Sequence, residues 1–183
     1  MPIQTPICDF GQKAHDFKLK STDNKILSLD DIKGENGTLI MFICNHCPYV
    51  KAIIKELVED IRELKKNGIQ TVAIMSNDTK NYPEDSFENM LSFSKLNKFN
   101  FPYLFDQSQD IAKKFGAVCT PDFFGYNKDL KLQYRGRFKE LKELIPVKAE
   151  QSDLKLAMNM ISKTQNGPKE QIPSMGCNIK WIK

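Results

Sequence analysis

The sequence has few histidines and cysteines, and it lacks the patterns of a structural zinc site and of a disulfide framework. Its 183 residues include two histidines and five cysteines. The single C-x-x-C motif, Cys44 to Cys47, is followed by neither a second C-x-x-C nor a pair of histidines, so we expect no structural zinc. An odd and sparse set of cysteines also argues against a disulfide framework and favours free, buried or catalytic thiols.

Long apolar runs and a secretory signal are also missing. No stretch is apolar for long enough to span a bilayer, and the first residues are not a basic region followed by an apolar one. We therefore expect a cytoplasmic protein with no membrane partner. The net charge is +4, but the lysines are dispersed and form no basic stripe with interleaved aromatics, so no nucleic-acid partner is expected.

The composition that remains is that of an ordinary globular protein. Hydrophobic residues make up 40% of the chain and charged residues 27%. The length suits one domain over 1–183 that ends in a tail over 166–183. No internal repeat, low-complexity tract or long linker divides the chain.

Hydrophobic periodicity predicts alternating strands and helices. The unbroken apolar run 39–43 is typical of a central strand covered on both faces. Apolar residues spaced by three and four between Val50 and Leu64 predict a helix that begins near Pro48 and ends at Asn67-Gly68. The other predicted elements are strands at 14–19, 26–29, 72–75 and 101–105, a loop at 77–85, helices at 87–94, 109–115 and 154–161, and a hairpin formed by 122–126 and 130–134. This order predicts an α/β fold with a mixed central sheet, helices on both faces and an N-terminal β-hairpin.

Cys47 is the most informative residue, because it lies where the apolar run ends and the helix begins. Backbone N–H groups at a helix start stabilise a thiolate over a thiol, by about one pKa unit. Only the thiolate attacks peroxides and disulfides, so Cys47 is the candidate nucleophile. The alternative is a buried cysteine that only packs.

Two neighbours of Cys47 have open roles. Cys44 could form a redox disulfide with Cys47, or could be a small apolar residue at the end of the strand. His46 could shuttle a proton or favour the thiolate when charged, but adjacent residues often point apart. The catalytic candidates are therefore Cys47, His46 and Cys44.

Further candidates lie later in the chain. Thr120-Pro121 leads into an apolar run, where a proline is allowed at the start of a strand, and the sequence does not decide whether this peptide bond is cis. Cys119 and Cys177 are the possible resolving thiols. Cys177 could instead be a packed anchor for the C-terminus.

Three motifs in the same order resemble a known family. Residues 42–50 look like the active-site turn of thioredoxin-fold proteins, and Thr120-Pro121 resembles the Thr/Ile–cis-Pro that faces it. Residues 14–19 resemble the start of redoxin domains of the alkyl hydroperoxide reductase/thiol-specific antioxidant family. The subgroup that is most similar is peroxiredoxin-like, with an Asn-His-Cys-Pro-Tyr-Val turn and motifs like those at 116–124, 134–137 and 176–181.

The chain departs from this family at several positions. Val50 stands where a thioredoxin has its second cysteine, and Cys44 and Ile40 stand where a peroxiredoxin has Thr and Pro. Residues 138–140 replace an acidic pair that is usual in the subgroup. Peroxide and disulfide therefore both remain open as the substrate.

The resemblance implies a thioredoxin-like fold and an antioxidant thiol-dependent oxidoreductase, with Thr120 and Pro121 shaping the groove. We expect no cofactor and no metal, and an external thiol reductant that is thioredoxin- or glutathione-like. Two alternatives stay open. One is a Cu(I)-binding module that uses Cys44, Cys47 and either His46 or His15. The other is a redox-inactive scaffold.

Overall fold

The structure, a computed structural model, describes residues 1–183. Its strands are β1 (Pro2–Gln4), β2 (Lys18–Ser21), β3 (Ile26–Ser28), β4 (Gly37–Phe42), β5 (Ile69–Met75), β6 (Tyr103–Phe105), β7 (Cys119–Thr120), β8 (Asp122–Asn127), β9 (Leu132–Tyr134), β10 (Leu141–Lys142), β11 (Ile145–Pro146) and β12 (Met175–Asn178). Its helices are α1 (Leu29–Ile32), α2 (Pro48–Lys66), α3 (Phe87–Leu96), α4 (Asp110–Phe115) and α5 (Asp153–Thr164), and Pro83–Asp85 form a 3-10 turn. No membrane-crossing helix is among these elements, since none combines the necessary length with sufficient apolar character.

The central sheet is mixed, as predicted. Its seven strands lie in the order β3-β2-β6-β5-β4-β8-β9. The β4–β5 and β5–β6 pairs are parallel, whereas β2–β3, β2–β6, β4–β8 and β8–β9 are antiparallel. The hairpin of β2 and β3 is the predicted N-terminal extension, and it pairs with the edge of β6.

Both faces of the sheet are covered because side chains alternate along β4. Leu39 and Met41 pack with α2 and α5 in one core, and Ile40 and Phe42 pack with α1 and α4 in the other. The prediction of helices on both faces is therefore confirmed. The division of the chain into one domain over 1–183 stays a prediction.

Helix α2 has the limits that the sequence predicts. Pro48 occupies the first turn, where its missing N–H leaves no hydrogen bond unmade. The apolar stripe from Val50 to Leu64 is buried, and Asn67 is the C-cap. The helix thus begins directly after the strand β4 and the turn over 43–47, which places Cys47 at the helix start.

Two predictions near the N-terminus were wrong in their extent. The predicted strand 14–19 is observed at Lys18–Ser21, because the Phe17 N–H before it donates to the Asp16 carboxylate, which also accepts from the Leu29 N–H, and not to a partner strand. The predicted strand 26–29 ends at Ser28, where α1 begins. Ser28 and Asp31 form a reciprocal capping box that stabilises this short helix.

The C-terminal segment contains a strand that periodicity did not reveal. In a second sheet, β12 lies between β1 and β7, antiparallel to both. Gly176 permits this close approach, because a Cβ atom there would collide with the carbonyl oxygen of Thr120. The end of the chain is thereby placed beside the start of α2 and residues 119–120.

Candidate active site

Cys47 is the N-cap residue of α2, and its side chain is 0% exposed. In its thiol form the Cys47 S–H donates to the carbonyl oxygen of Thr120 over 3.1 Å, and no cap hydrogen bond of ordinary geometry forms at the helix start. The predicted position is therefore confirmed, but the sulfur is covered. Its cover consists partly of polar groups, including the backbone of residues 120 and 177.

The surroundings of Cys47 favour the thiolate. The pKa of Cys47 falls from 9.0 to about 5, first because the Cys44 thiol donates to its sulfur, and then through the backbone N–H groups of Cys177 and Val50 and the Cys177 thiol. Burial acts in the opposite direction and raises the pKa of Cys47. The helix start, represented by Val50, is thus a minor contributor, and the neighbouring thiol is the major one.

Cys44 lies at the end of β4 with its sulfur 3.3 Å from the hydroxyl oxygen of Thr120. Its side chain is 0% exposed. The pKa of Cys44 is raised well above 9.0, because its thiol donates to Cys47, because it is buried and because the Asp85 carboxylate is near. Cys44 is therefore a protonated donor to Cys47.

Thr120 and Pro121 face Cys44 and Cys47 across the site, and the bond that joins them is cis. Thr120 contacts both sulfurs, through its hydroxyl and its carbonyl. Pro121 lines a groove of about 160 Å³ together with Tyr49, Phe138 and Met175. The structure thus brings both predicted groove residues to the site, although Thr120 itself is buried.

His46 is directed onto a buried carboxylate, and one of its ring nitrogens also lies within 4.8 Å of the Cys44 sulfur. Its Nδ1 lies 2.6 Å from an oxygen of Asp85, whose side chain is 0% exposed, and its ring stacks on Tyr82 at 5.9 Å. Asp85 also accepts hydrogen bonds from the Asn45 N–H and the Asn77 amide, both over 2.8 Å. This network fixes the turn that carries Cys44 and Cys47.

Asp85→Ala should destabilise the protein, because it leaves two buried N–H donors, those of Asn45 and Asn77, without an acceptor. We expect the free energy of unfolding to fall by roughly 2–4 kcal/mol in urea denaturation. Asp23→Ala is the control, since this carboxylate is exposed and should cost less than about 1 kcal/mol. Equal losses in the two variants would contradict the structural role of Asp85.

The two possible resolving thiols differ in their placement. Cys177 lies on β12 opposite Thr120 and is half-buried, and its N–H and thiol are among the groups that lower the pKa of Cys47. Cys119 is buried, and its thiol donates to the Pro121 carbonyl over 3.4 Å. Burial and the Asp122 carboxylate raise the pKa of Cys119. Cys177 therefore lies beside Cys47, through the Thr120 that both face, whereas Cys119 is hydrogen-bonded elsewhere.

The copper alternative is not favoured. His15 packs against the edge of the Phe115 ring at 5.4 Å, in the core on the opposite face of the sheet from Cys44 and Cys47. Cys44, His46 and Asp85 each offer an atom within 4.8 Å of the others. However, Asp85 already accepts hydrogen bonds from His46, Asn45 and Asn77, so these groups form a hydrogen-bond network rather than an open ligand set.

A larger cleft lies on the other side of the turn from Pro121. It measures about 540 Å³ and is lined by Asn45, His46, Lys51, Glu84, Asn89 and Leu96. Cys47 lines neither this cleft nor the groove at Pro121. A reactant in either place is next to the turn but still separated from the sulfur.

Sequence reasoning did not find Asp85, Asn77 or Tyr103 as parts of this site. Tyr103 donates to the Asn45 side-chain oxygen over 2.9 Å. Asp85 and Asn77 belong to the polar segment 77–85 that was predicted as a loop. The run of polar residues directly after a buried strand was the available signal, since strand ends in such sheets are where sites are built.

Comparisons with known proteins agree with this geometry. A crystal structure of an uncharacterized conserved protein from Geobacillus kaustophilus is 39% identical, with a TM-score of 0.93 over 100% of this chain and 97% of that one. The thioredoxin domain of a thiol-disulfide oxidoreductase from Bacteroides vulgatus has the same fold, with a TM-score of 0.59 at 15% identity over 69% of this chain and 86% of that one. The thiol-disulfide oxidoreductase ResA of Bacillus thuringiensis is 24% identical over 135 residues, 74% of this chain and 73% of its own length.

The central sheet, with its helices on both faces and a cysteine at the start of α2, has a thioredoxin-like fold. Residues 10–135, more than half of the chain, match the AhpC/TSA family. These residues contain β2 to β9 and the turn with Cys44 and Cys47. The protein therefore belongs to the AhpC/TSA family of thioredoxin-fold redoxins.

Proposed function

We propose that the protein is a thiol-dependent oxidoreductase in which Cys47 is the nucleophile. The observation that carries this proposal is the position of the Cys47 sulfur at the start of α2, where the Cys44 thiol and the N–H groups of Cys177 and Val50 lower its pKa. A pKa of about 5 makes Cys47 a thiolate at neutral pH, whereas an isolated cysteine is almost entirely protonated.

The first candidate reaction is thiol–disulfide exchange. The Cys47 thiolate attacks one sulfur of a disulfide, a mixed disulfide forms, and the other sulfur leaves as a thiolate. The name of the ResA relative supports this reaction. Cys44 stands where a peroxiredoxin has Thr, and this also supports exchange over peroxide reduction. The Cys44 thiol already interacts with Cys47 and with the Thr120 hydroxyl.

Peroxide reduction is the second candidate, because the enclosed sulfur admits a small molecule more easily than a protein. In this reaction the thiolate attacks one peroxide oxygen and becomes a sulfenic acid, and the other oxygen leaves as an alcohol or water after protonation. In both reactions an external thiol reductant, thioredoxin- or glutathione-like, restores the protein. A reducing compartment such as the cytoplasm would supply it.

Two parallel assays on the purified, reduced protein test this proposal. Stopped-flow mixing with hydrogen peroxide measures peroxide reduction, and reduction of insulin or of glutathione disulfide measures exchange. We expect Cys47→Ser to bring both rates down to the background without enzyme. Cys8→Ser is the matched control, because Cys8 lies outside the site and burial raises its pKa to about 11.

The two assays also separate the candidate substrates. A rate well above that of a free thiol with disulfide alone identifies an exchange enzyme, and the same result with peroxide alone identifies a peroxidase. Wild-type rates no faster than a free thiol in both assays would overturn the proposal and favour a redox-inactive scaffold.

A further inference from the structure

We propose that the groove beside Pro121 selects small disulfides that carry a carboxylate, and that Arg137 and Lys139 bind this carboxylate. The inference rests on the proposed function in its first form, thiol–disulfide exchange at Cys47. It adds the substrate class, because exchange requires a disulfide but does not determine which one.

The groove is cationic as well as apolar. Arg137 and Lys139 are the charged residues that line it, and no aspartate or glutamate does so. Lys139 is 8% exposed, so its charge is held in the wall of the groove and not in open solvent. An anionic reactant is therefore attracted to this place, whereas a cationic one is repelled.

Both cations keep donors free for a ligand. Arg137 donates only its Nε to Asp153, over 2.6 Å, and its two terminal nitrogens have no hydrogen-bond partner in the protein. Lys139 donates one N–H to Glu56, and an ammonium group has three. Neither acid lines the groove, and their side chains are 40% and 38% exposed, so water weakens both ion pairs. The free end of the Arg137 fork matches a carboxylate, which can accept two parallel hydrogen bonds from it.

The backbone that carries these side chains is held on both sides. The Arg137 N–H donates to the Ile172 carbonyl over 2.7 Å, and the Arg137 carbonyl accepts from the Tyr134 hydroxyl over 2.6 Å. The Phe138 carbonyl accepts from the Leu154 N–H over 3.1 Å. Little backbone entropy is therefore lost when a ligand binds here.

The size of the groove limits the ligand to one arm of a small molecule. Its volume is about 160 Å³, whereas drug-sized ligands occupy sites of roughly 300–1,000 Å³. Tyr49, Phe138 and Leu141 give it apolar walls, which suit the methylene groups between a carboxylate and a sulfur. A short acidic arm of a disulfide therefore fits better than a segment of a folded protein.

The groove lies next to Cys47 but does not include it. Pro121 lines the groove, and the carbonyl of the preceding Thr120 is 3.1 Å from the Cys47 sulfur. Tyr49 and Met175 also line the groove, where the Tyr49 hydroxyl donates to the Met175 sulfur in a weak contact of 3.9 Å. Both side chains are at least partly exposed and rotate about single bonds, so we place the route to the sulfur between them. The thiolate then attacks one sulfur of the disulfide, which stays on Cys47 as a mixed disulfide, and the other sulfur leaves as a thiolate.

A matched set of three disulfides tests the proposal on the reduced full chain. Dithiodipropionate, hydroxyethyl disulfide and cystamine share the same short arm, which ends in a carboxylate, a hydroxyl and an ammonium group respectively. Stopped-flow loss of the thiolate absorbance gives each rate, and the wild-type rate is divided by that of a variant so that intrinsic reactivity cancels. We expect Arg137→Met and Lys139→Met each to slow the reaction with dithiodipropionate roughly tenfold, the effect of losing one hydrogen bond to a charged group. Hydroxyethyl disulfide should react at an unchanged rate, and cystamine at an unchanged or higher one.

Two controls accompany these variants. Lys51→Met removes a cation that lines the larger cleft on the other side of the turn, and it should leave all three ratios near one. Higher ionic strength should slow the wild type with dithiodipropionate and not with hydroxyethyl disulfide, which tests the charge without any substitution. The rate with hydroxyethyl disulfide also shows whether each variant is folded.

The remaining outcomes contradict the assignment in different ways. Equal slowing with all three disulfides would show that the two cations act on Cys47 itself, and no slowing with dithiodipropionate would show that they bind no carboxylate. Slowing with insulin but not with dithiodipropionate would assign the groove to a polypeptide. In each of these cases reaction with hydroxyethyl disulfide leaves the proposed function intact, whereas wild-type rates no faster than a free thiol with every disulfide would end both exchange and the inference.

Discussion

Cys44→Ala should raise the pKa of Cys47 by roughly one to two units, because the Cys44 thiol is the largest contributor to the lowered pKa of about 5. A hydrogen bond to a charged group is worth about 1.5–3 kcal/mol, and one pKa unit corresponds to about 1.4 kcal/mol. Near pH 6, roughly nine-tenths of wild-type Cys47 is thiolate, which is roughly 300-fold more than for a free cysteine with a pKa of about 8.5. Cys44→Ser is the matched control, since a hydroxyl can still donate.

Titration of the ultraviolet absorbance of the thiolate measures this pKa without any reagent reaching the buried sulfur. The Cys47→Ser curve is subtracted as the baseline. An unchanged midpoint in Cys44→Ala would show that the Cys44 thiol does not stabilise the anion. A midpoint near 9 in the wild type would remove the chemical basis of the proposed function.

The lowered pKa also links the stability of the fold to pH. Because the folded pKa of Cys47 lies below its unfolded value of 9.0, the contribution to stability is fully present above about pH 9 and is lost as the pH falls through about 5. The raised pKa values of Cys44 and Cys177 change the free energy of unfolding only as the pH rises above 9. The stability difference between the wild type and Cys47→Ser should therefore shrink from pH 8 to pH 5.

Arg135→Met should cost about 3–5 kcal/mol of unfolding free energy, because it leaves the carboxylate of Asp122 buried without its partner. Asp122 is 0% exposed and Arg135 8%, and their closest atoms are 2.9 Å apart. Arg135 also donates to the Gly116 carbonyl over 2.8 Å and lies 4.4 Å from the centre of the Phe124 ring. The substitution removes all three contacts.

Urea denaturation followed by circular dichroism measures this loss. Arg137→Met is the matched control, because its ion pair with Asp153 is partly exposed and should be worth less than about 1 kcal/mol. Asp122→Asn combined with Arg135→Met should recover part of the loss, since no buried charge then remains. Similar losses for Arg135→Met and Arg137→Met would contradict the importance of burial for this pair.

Local patterns predicted the parts of the site that depend on short stretches of chain. The apolar run before Cys47 and the stripe after it determine where β4 ends and α2 begins, so the position of the sulfur could be predicted. The local sequence did not decide whether the bond before Pro121 is cis, and only the resemblance to thioredoxin-fold proteins pointed to it. The small helix α1 was missed because a single capping box of Ser28 and Asp31 outweighs the β-like pattern around it.

The main cause of the lowered pKa was also beyond sequence reasoning. The helix start was the expected cause, but the Cys44 thiol contributes more, and its direction depends on side-chain packing that no spacing reveals. Asp85 reaches the turn from 39 residues away. The pairing of β12 with β1 and β7 joins the two ends of the chain, and no short-range signal specifies such a pairing.

The first residues of the chain have a consequence for any work on the purified protein. Pro2–Gln4 pair with the strand that carries Cys177, and the terminal ammonium group is 3.4 Å from the side-chain oxygen of Asn178. An affinity tag fused ahead of Met1 would place additional chain directly beside this pairing. Tagged protein should therefore differ from untagged protein in how fast Cys47 is modified, and reactivity is best measured after the tag has been cleaved.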